Sequence, residues 1–391
     1  MTFKLVLRTL FVSISAFGLT LACSDSGEDH TPGTSAAGYV GTGGQAASGV
    51  IGGAGGLAGT GGAGTGGVGT GGVGTGGAGT GGAGTGGAGT GGSSTECPPP
   101  QLVGWAAVGD GMTTTGGGDA TPQEVTSMSE LKDLAGGDEP RVIHVRGTLD
   151  GGLDVGSNKT IVGIGKDARI NGGITMGGVS NIIIRNLTII GGNDTISSRG
   201  SHHMWLDHLA VADGSDGVID LTRESDFATV SWCKVWYDRG GGHKLAFLFG
   251  GGSTHTADRG HNNHTVHHNW FSKEVKERMP RLLFGRGHIY NNFYNSPGNN
   301  YCVGSGSWSS LYVENNYFLE VSDPHRFQDG NPSYIEAVGN VYDNTNGKQD
   351  TGNGGSGSDP PGPWDPSSVY SYQADPAESI PDLVQRCAGP Q

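Results

Sequence analysis

The chain is 391 residues long, carries a formal net charge of -14 and contains 77 glycines. An acid excess of that size argues against nucleic acid as a partner, because polyanion binding needs a basic face. The glycine excess is local, so whole-chain composition decides no fold class and the segments have to be read in chain order.

Lys4 and Arg8 precede an apolar run from Leu10 to Ala22 that stops at Cys23. The run is too short to span a membrane and reads as an export segment over residues 1–23. Its end, LTLAC, resembles a bacterial lipoprotein cleavage site, although Thr20 stands where such sites usually carry Leu. That resemblance implies lipidation of Cys23, with ordinary signal cleavage as the alternative, and either outcome makes the protein secreted or held at the cell surface. Residues 24–96 follow as a tether, dominated by GTGGA and GTGGV repeats between Gly41 and Gly92. Such a polymer buries too little apolar surface to offset its ordering entropy, and as a Gly-rich coil it would span about 40 Å.

From Cys97 to Gln391 the composition becomes ordinary and suits one large domain, expected to be monomeric. Cys97, Cys233, Cys302 and Cys387 are an even number in an exported chain, so up to two disulfides are allowed. Cys97 and Cys387 bracket the domain and would suit a clasp, while Cys233 in VSWCKVW reads as a free thiol buried in a strand.

Short β-branched runs recur along this domain, marked by Asn186, His208, Cys233, Asn269, Asn292, Asn316 and Asn340, at steps of 22, 25, 36, 23, 24 and 24 residues. Such a period marks a solenoid. Strands of about five residues, Gly- and Asn-rich turns and no helical periodicity between them predict an all-β, right-handed parallel β-helix. One Asn per coil would form a ladder of stacked amides. A β-sandwich would need hairpin turns and cleaner alternation than IIIRNLTII offers. The long step predicts one loop leaving the coil within residues 238–263, on the face that solenoids use for binding.

Three features carry chemistry. Asp194 ends one coil, and Asp216 and Asp220 lie four apart in the next, where strand geometry would put their carboxylates on one face beside Asp194. Oxygen-only donors suit a hard cation such as Ca2+. Lys244 in GGHKLAF lies one coil before Arg278 and Arg281 in RMPR, and Arg286 follows. Cations gathered this closely in an acidic protein await an anion, although solvated loop charge remains the plain alternative for Arg281 and Arg286.

In their order, KTIVGIG, NIIIRNLTI, MWLDH, DGVID, VSWCKV, HHNWF, RMPR and GHIYNN resemble the family-1 pectate lyases, parallel β-helix enzymes that cleave polygalacturonate by calcium-assisted β-elimination. The resemblance implies Arg278 as the proton-abstracting base, Lys244 as the ligand of the substrate carboxylate, and Asp194, Asp216 and Asp220 as calcium ligands. It makes Asp207 and His208 mainly structural. Two places depart from the family: Leu283 stands where members often carry a further substrate-binding Arg, and Gly192 where they carry another acidic ligand. Arg281, on the strand parity of Leu283, could replace the missing contact. The alternatives are a surface-tethered, non-catalytic pectin-binding β-helix and a pectin lyase acting on methyl esters.

Overall fold

The computed structural model describes residues 96–391; the export segment, Cys23 and the tether up to residue 95 lie outside the described residues. Three sheets wrap one core, with eleven strands in sheet A, nine in sheet B and eight in sheet C. The chain visits A, B and C in turn, so a strand pairs with the strand one whole rung later. Met204 in His202–Asp207 aligns with Ala228, and Ala228 aligns with His264. This is the expected parallel β-helix, right-handed as strand crossovers in parallel sheets are. The one antiparallel pairing among the named strands joins Ser333–Val338 to Gly352–Gly354 at the end of sheet A.

The core consists of rows of matched side chains. On sheet A one row runs Ile161, Ile184, Leu206, Val230, Val266, Ile289, Val313, each aligned with the next and none exposed. Each such burial contributes about 1.5–3 kcal/mol before chain entropy is counted. On sheet B the row Phe271, Tyr294, Phe318, Tyr342 forms an aromatic stack, with centroid spacings of 5.0, 4.4 and 5.5 Å. The amide ladder runs from Asn269 through Asn292 and Asn316 to Asn340, each Nδ2 donating to the next Oδ1 at 3.0 Å. Cys233 continues it without an amide, its N–H donating to Asn269 Oδ1 at 2.8 Å.

Asn186 and His208 do not belong to that ladder. They stand one position earlier, in a parallel stack of left-handed corner residues that includes Trp232, His268, Asn291 and Asn315, with φ between 47° and 55°. Leu187 and Leu209 occupy the ladder positions and point into the core. Asn tolerates the left-handed conformation as well as it builds ladders, so a lone Asn per coil could not tell the two sites apart.

The long step is also not one loop. Residues 238–243 leave the coil before the bridged Leu245 and the strand Phe247–Phe249, and residues 251–261 leave it after that strand. Sheet C is therefore walled at both edges at this rung. Cys233 lies at the corner between Asp226–Ser231 and Lys234–Trp236 rather than inside a strand, and it is free and fully buried, as is Cys302. Cys97 and Cys387 form a disulfide.

Two eight-residue helices flank the solenoid. Met128–Ala135 starts at a capping box in which Ser127 Oγ accepts from the Glu130 N–H and Glu130 Oε2 accepts from the Ser127 N–H. It buries Leu131 and Ala135 against the first coils and so closes an otherwise open apolar end. Ile380–Cys387 lays Ile380 and Val384 on Phe293 and carries the disulfide.

Candidate active site

Asp194 opens the strand Asp194–Arg199, and Asp220 sits on the neighbouring strand Gly217–Thr222 of sheet C. Asp216 lies in the bend just before that strand. One oxygen from each of the three carboxylates falls within 4.8 Å of the others. Shared strand parity is not what gathers them, since Asp216 is outside the strand. The register puts Gly217 beside Asp194, and a Cβ there would stand 2.9 Å from Asp220 Oδ1 and 3.4 Å from Asp194 Oδ1. A missing side chain thus makes room for two carboxylates.

The Oδ1 atoms of Asp194 and Asp220 are buried without a hydrogen-bond partner. Burial, reinforced by the Asp194 charge, pushes the Asp220 carboxyl up to about 8, against the pull of Arg278. Asp194 is raised by burial and then by Asp216, again opposed by Arg278. Two orphaned oxygens in an all-oxygen, mutually repelling set fit a hard divalent cation. His243, which the sequence reading passed over, places Nδ1 3.0 Å from Asp216 Oδ1. Only its position beside Lys244 could have drawn attention to it.

The cations converge less completely. Leu245 bridges to Glu277 while Leu248 aligns with Arg281, so three steps on one strand face four on the next. Arg278 takes up the extra residue with φ 60°, and its carbonyl accepts from the Phe247 N–H at 2.5 Å. Its Nε is buried without a partner, and among the described residues no carboxylate pairs with it. Its charge nevertheless acts on both Asp194 and Asp220. A cation held near acids yet unpaired can receive an incoming anion.

Lys244 is committed elsewhere, with its ammonium 2.5 Å from Glu274 Oε2. Arg281 pairs with Asp329. Leu283 is fully buried, its side chain touching the positions where Gly250 and Gly306 would carry a Cβ. The loop after Phe247–Phe249 covers it, with Asn262 Nδ2 donating to the Leu283 carbonyl at 3.0 Å. At Gly192 the left-handed φ of 84° and a Cβ position 2.7 Å from the Asp194 carbonyl oxygen leave no room for an acidic side chain.

Asp207 accepts from Ser231 Oγ at 2.7 Å and lies 2.8 Å from His208 Nδ1, and Trp205 Nε1 donates to the same Ser231. That network braces the corner between sheets A and B. A second acidic cluster, Glu224, His255 and Asp258, also brings three donors within 4.8 Å. There both Asp258 oxygens are satisfied by the N–H groups of Glu224 and Gly251, at 2.7 and 2.6 Å, and the cluster pins the loop following Phe247–Phe249.

The "Pectate lyase" family profile matches residues 65–390. A pectate trisaccharide-lyase of Bacillus licheniformis is 31% identical over 314 residues, which is 74% of this chain and 86% of that protein. The pectate trisaccharide-lyase of Thermotoga maritima is 34% identical over 188 residues, 44% of this chain, and this chain spans only half of that relative's length. Among solved structures, a pectate lyase from Bacillus sp. N165 in complex with trigalacturonate superposes with a TM-score of 0.60 at 26% identity, over 74% of this chain and 98% of the other. The thermostable pectate lyase PL 47 gives 0.60 at 25% identity, over 76% and 98%.

Proposed function

This chain belongs to the pectate lyase family, and we propose that it cleaves (1→4)-linked galacturonan by β-elimination, with Arg278 as the base and a calcium ion held by Asp194, Asp216 and Asp220. The observation that carries the proposal is the pair of orphaned oxygens on Asp194 and Asp220 beside an Arg278 that has no carboxylate of its own.

When bound, the cation offsets the substrate carboxylate's charge and so acidifies the adjacent C5–H. Arg278 would take the C5 proton; the electron pair left behind forms the C4–C5 double bond, the glycosidic C4–O bond breaks, and the departing oxygen takes a proton from water. A neutral guanidine is a strong base. Lys244 would leave Glu274 and meet the substrate carboxylate. The lining acids accept no proton in this scheme; their work is to hold charge in place before the reaction starts.

Release of unsaturated uronate raises absorbance near the ultraviolet edge, and polygalacturonate at alkaline pH is the test substrate. The rise should appear with calcium and vanish with chelator; turnover that survives chelation ends the metal assignment. Arg278→Lys should abolish the rise while calcium-dependent polymer binding persists, and retained activity ends the base assignment. Polymer binding by the wild-type chain with no absorbance change would instead make it a non-catalytic pectin binder. Preferential action on fully methylated pectin would make it a pectin lyase. Export, and anchoring through Cys23, complete the proposal; a fatty-acylated N-terminal peptide in the mature protein is the check.

A further inference from the structure

We propose that Arg286 forms the charged end of a second galacturonate-binding site, outside the acid cluster. The sequence singles out Arg286 with Arg278 and Arg281, and the reaction above gives it no role. It opens the strand Arg286–Tyr290 of sheet A and is exposed. No described carboxylate pairs with it, although Arg281, five residues earlier, is tied to Asp329.

Arg286 lines a cavity of about 550 Å³ together with Trp105, Phe227, Phe284, Trp308 and Trp364. That volume lies in the general range of small-molecule binding pockets. The aromatic wall is built: Phe284 and Trp308 stack at 5.9 Å with an interplanar angle of 7°, and Trp105 lies 5.8 Å from Trp364. Trp308 Nε1 donates to the Ser358 carbonyl at 3.2 Å and Trp364 Nε1 to the Ser310 carbonyl at 3.1 Å, which fixes both indoles. Arg259, paired with Asp359 at 3.6 Å, lies 4.2 Å over the Trp308 ring just outside the cavity, while the lining holds His261, 3.5 Å from Asp226, and one carboxylate, Asp110.

Flat aromatic faces held rigidly suit the apolar faces of a sugar ring, and an unpaired guanidinium suits a carboxylate by a two-point hydrogen bond. A neutral sugar would leave Arg286 unused; a phosphate or simple carboxylate would leave the indoles unused. A uronate uses both. The acid cluster lies where strands of sheet C begin, after sheet B, whereas Arg286 begins a strand of sheet A, after sheet C. The two sites thus sit at opposite edges of sheet C, and a polymer held at both would be retained between cleavage events. The inference rests on the pectate reading for its choice of ligand.

Trigalacturonate and its fully methyl-esterified analogue are titrated into the full chain with calcium chelated, following tryptophan fluorescence. The acid trimer should quench the signal and the ester should not, and Arg286→Ala should weaken trimer binding about ten-fold or more. Arg286→Lys should recover part of the loss. Equal affinity of wild type and Arg286→Ala, equal binding of the ester, or no quench by the acid trimer at millimolar concentration each overturns the site. Calcium-dependent absorbance rise on polygalacturonate, measured on the same wild-type preparation, reports separately whether the lyase reading stands.

Discussion

The Lys244 ammonium lies 2.5 Å from the Glu274 carboxylate, so the cation assigned to the substrate already holds a partner from its own chain. The hydrogen bond from Lys244 keeps Glu274 below the ordinary carboxylate range. If Lys244 binds the substrate carboxylate as proposed, substrate must first displace Glu274. Because Glu274 is half exposed, solvent screens the pair and the competition is weak. Glu274→Gln should therefore lower KM for polygalacturonate about two- to five-fold with little change in kcat. A KM that stays the same or rises would mean Lys244 does not meet the substrate.

Gly217 holds the acid cluster open, because a Cβ on it would press on Asp220 Oδ1 at 2.9 Å and Asp194 Oδ1 at 3.4 Å. Its φ is an ordinary one, so alanine there strains no backbone and the conflict falls on the two carboxylates alone. Gly217→Ala should weaken calcium binding about ten-fold while leaving the unfolding temperature of the metal-free protein within a few degrees. Calorimetric titration of calcium decides it; unchanged affinity would show that the ion does not sit between these oxygens.

The solenoid was legible because its signal repeats. Each rung contributes another β-branched strand and corner, so the error of taking Asn186 and His208 for ladder positions shifted two rungs without disturbing the architecture. The acid trio was legible as residues but for the wrong reason: Asp216 sits in a bend, Asp220 lies three residues past Asp194's register partner Gly217, and the convergence depends on that glycine rather than on strand parity. The pairing of Arg281 with Asp329 joins residues 48 apart, a contact no local spacing announces. Splitting of the long step into loops on both sides of Phe247–Phe249 was hidden because that strand has only three residues among glycines. The helix Met128–Ala135 was missed although Ser127 and Glu130 spell out a capping box, because it lies before the first counted repeat.

Asp220 makes the metal-free protein sensitive to alkali. Its carboxyl is raised to about 8 in the folded chain, whereas an unfolded Asp titrates near 3.9. The folded state therefore holds the proton more tightly, and stability is fully present below about pH 4 and is lost as pH rises toward and through 8. With calcium bound the charged carboxylates are needed, so the loss should disappear. Chelated protein should unfold at falling temperature between pH 5 and 9, and Asp220→Asn should flatten that slope while abolishing calcium-dependent turnover. Parallel curves for chelated wild type and Asp220→Asn would show that the buried carboxyl does not carry the effect.

The buried histidines act with the opposite sign at the acid end. Burial depresses His264 to about 3, and its Nδ1 accepts from the Ala228 N–H at 3.2 Å, a bond that the protonated ring cannot make. His267 is lowered by burial and then by the neighbouring His268, His288 and His208, while His268 and His288 are lowered by burial against the pull of Asp375 and Glu314. An unfolded His titrates near 6.5, so below that pH the unfolded chain binds protons the folded chain refuses. Stability contributed by these groups is present above pH 6.5 and falls as pH drops from there toward 3. Urea unfolding at steps from pH 7.5 to 4.5 should show this loss, with net proton uptake on unfolding at pH 5. His264→Leu should keep the apolar contact with Phe249, whose ring lies 4.6 Å away, and reduce that uptake by about one proton. Uptake unchanged by the substitution would mean that His264 is already protonated in the folded core.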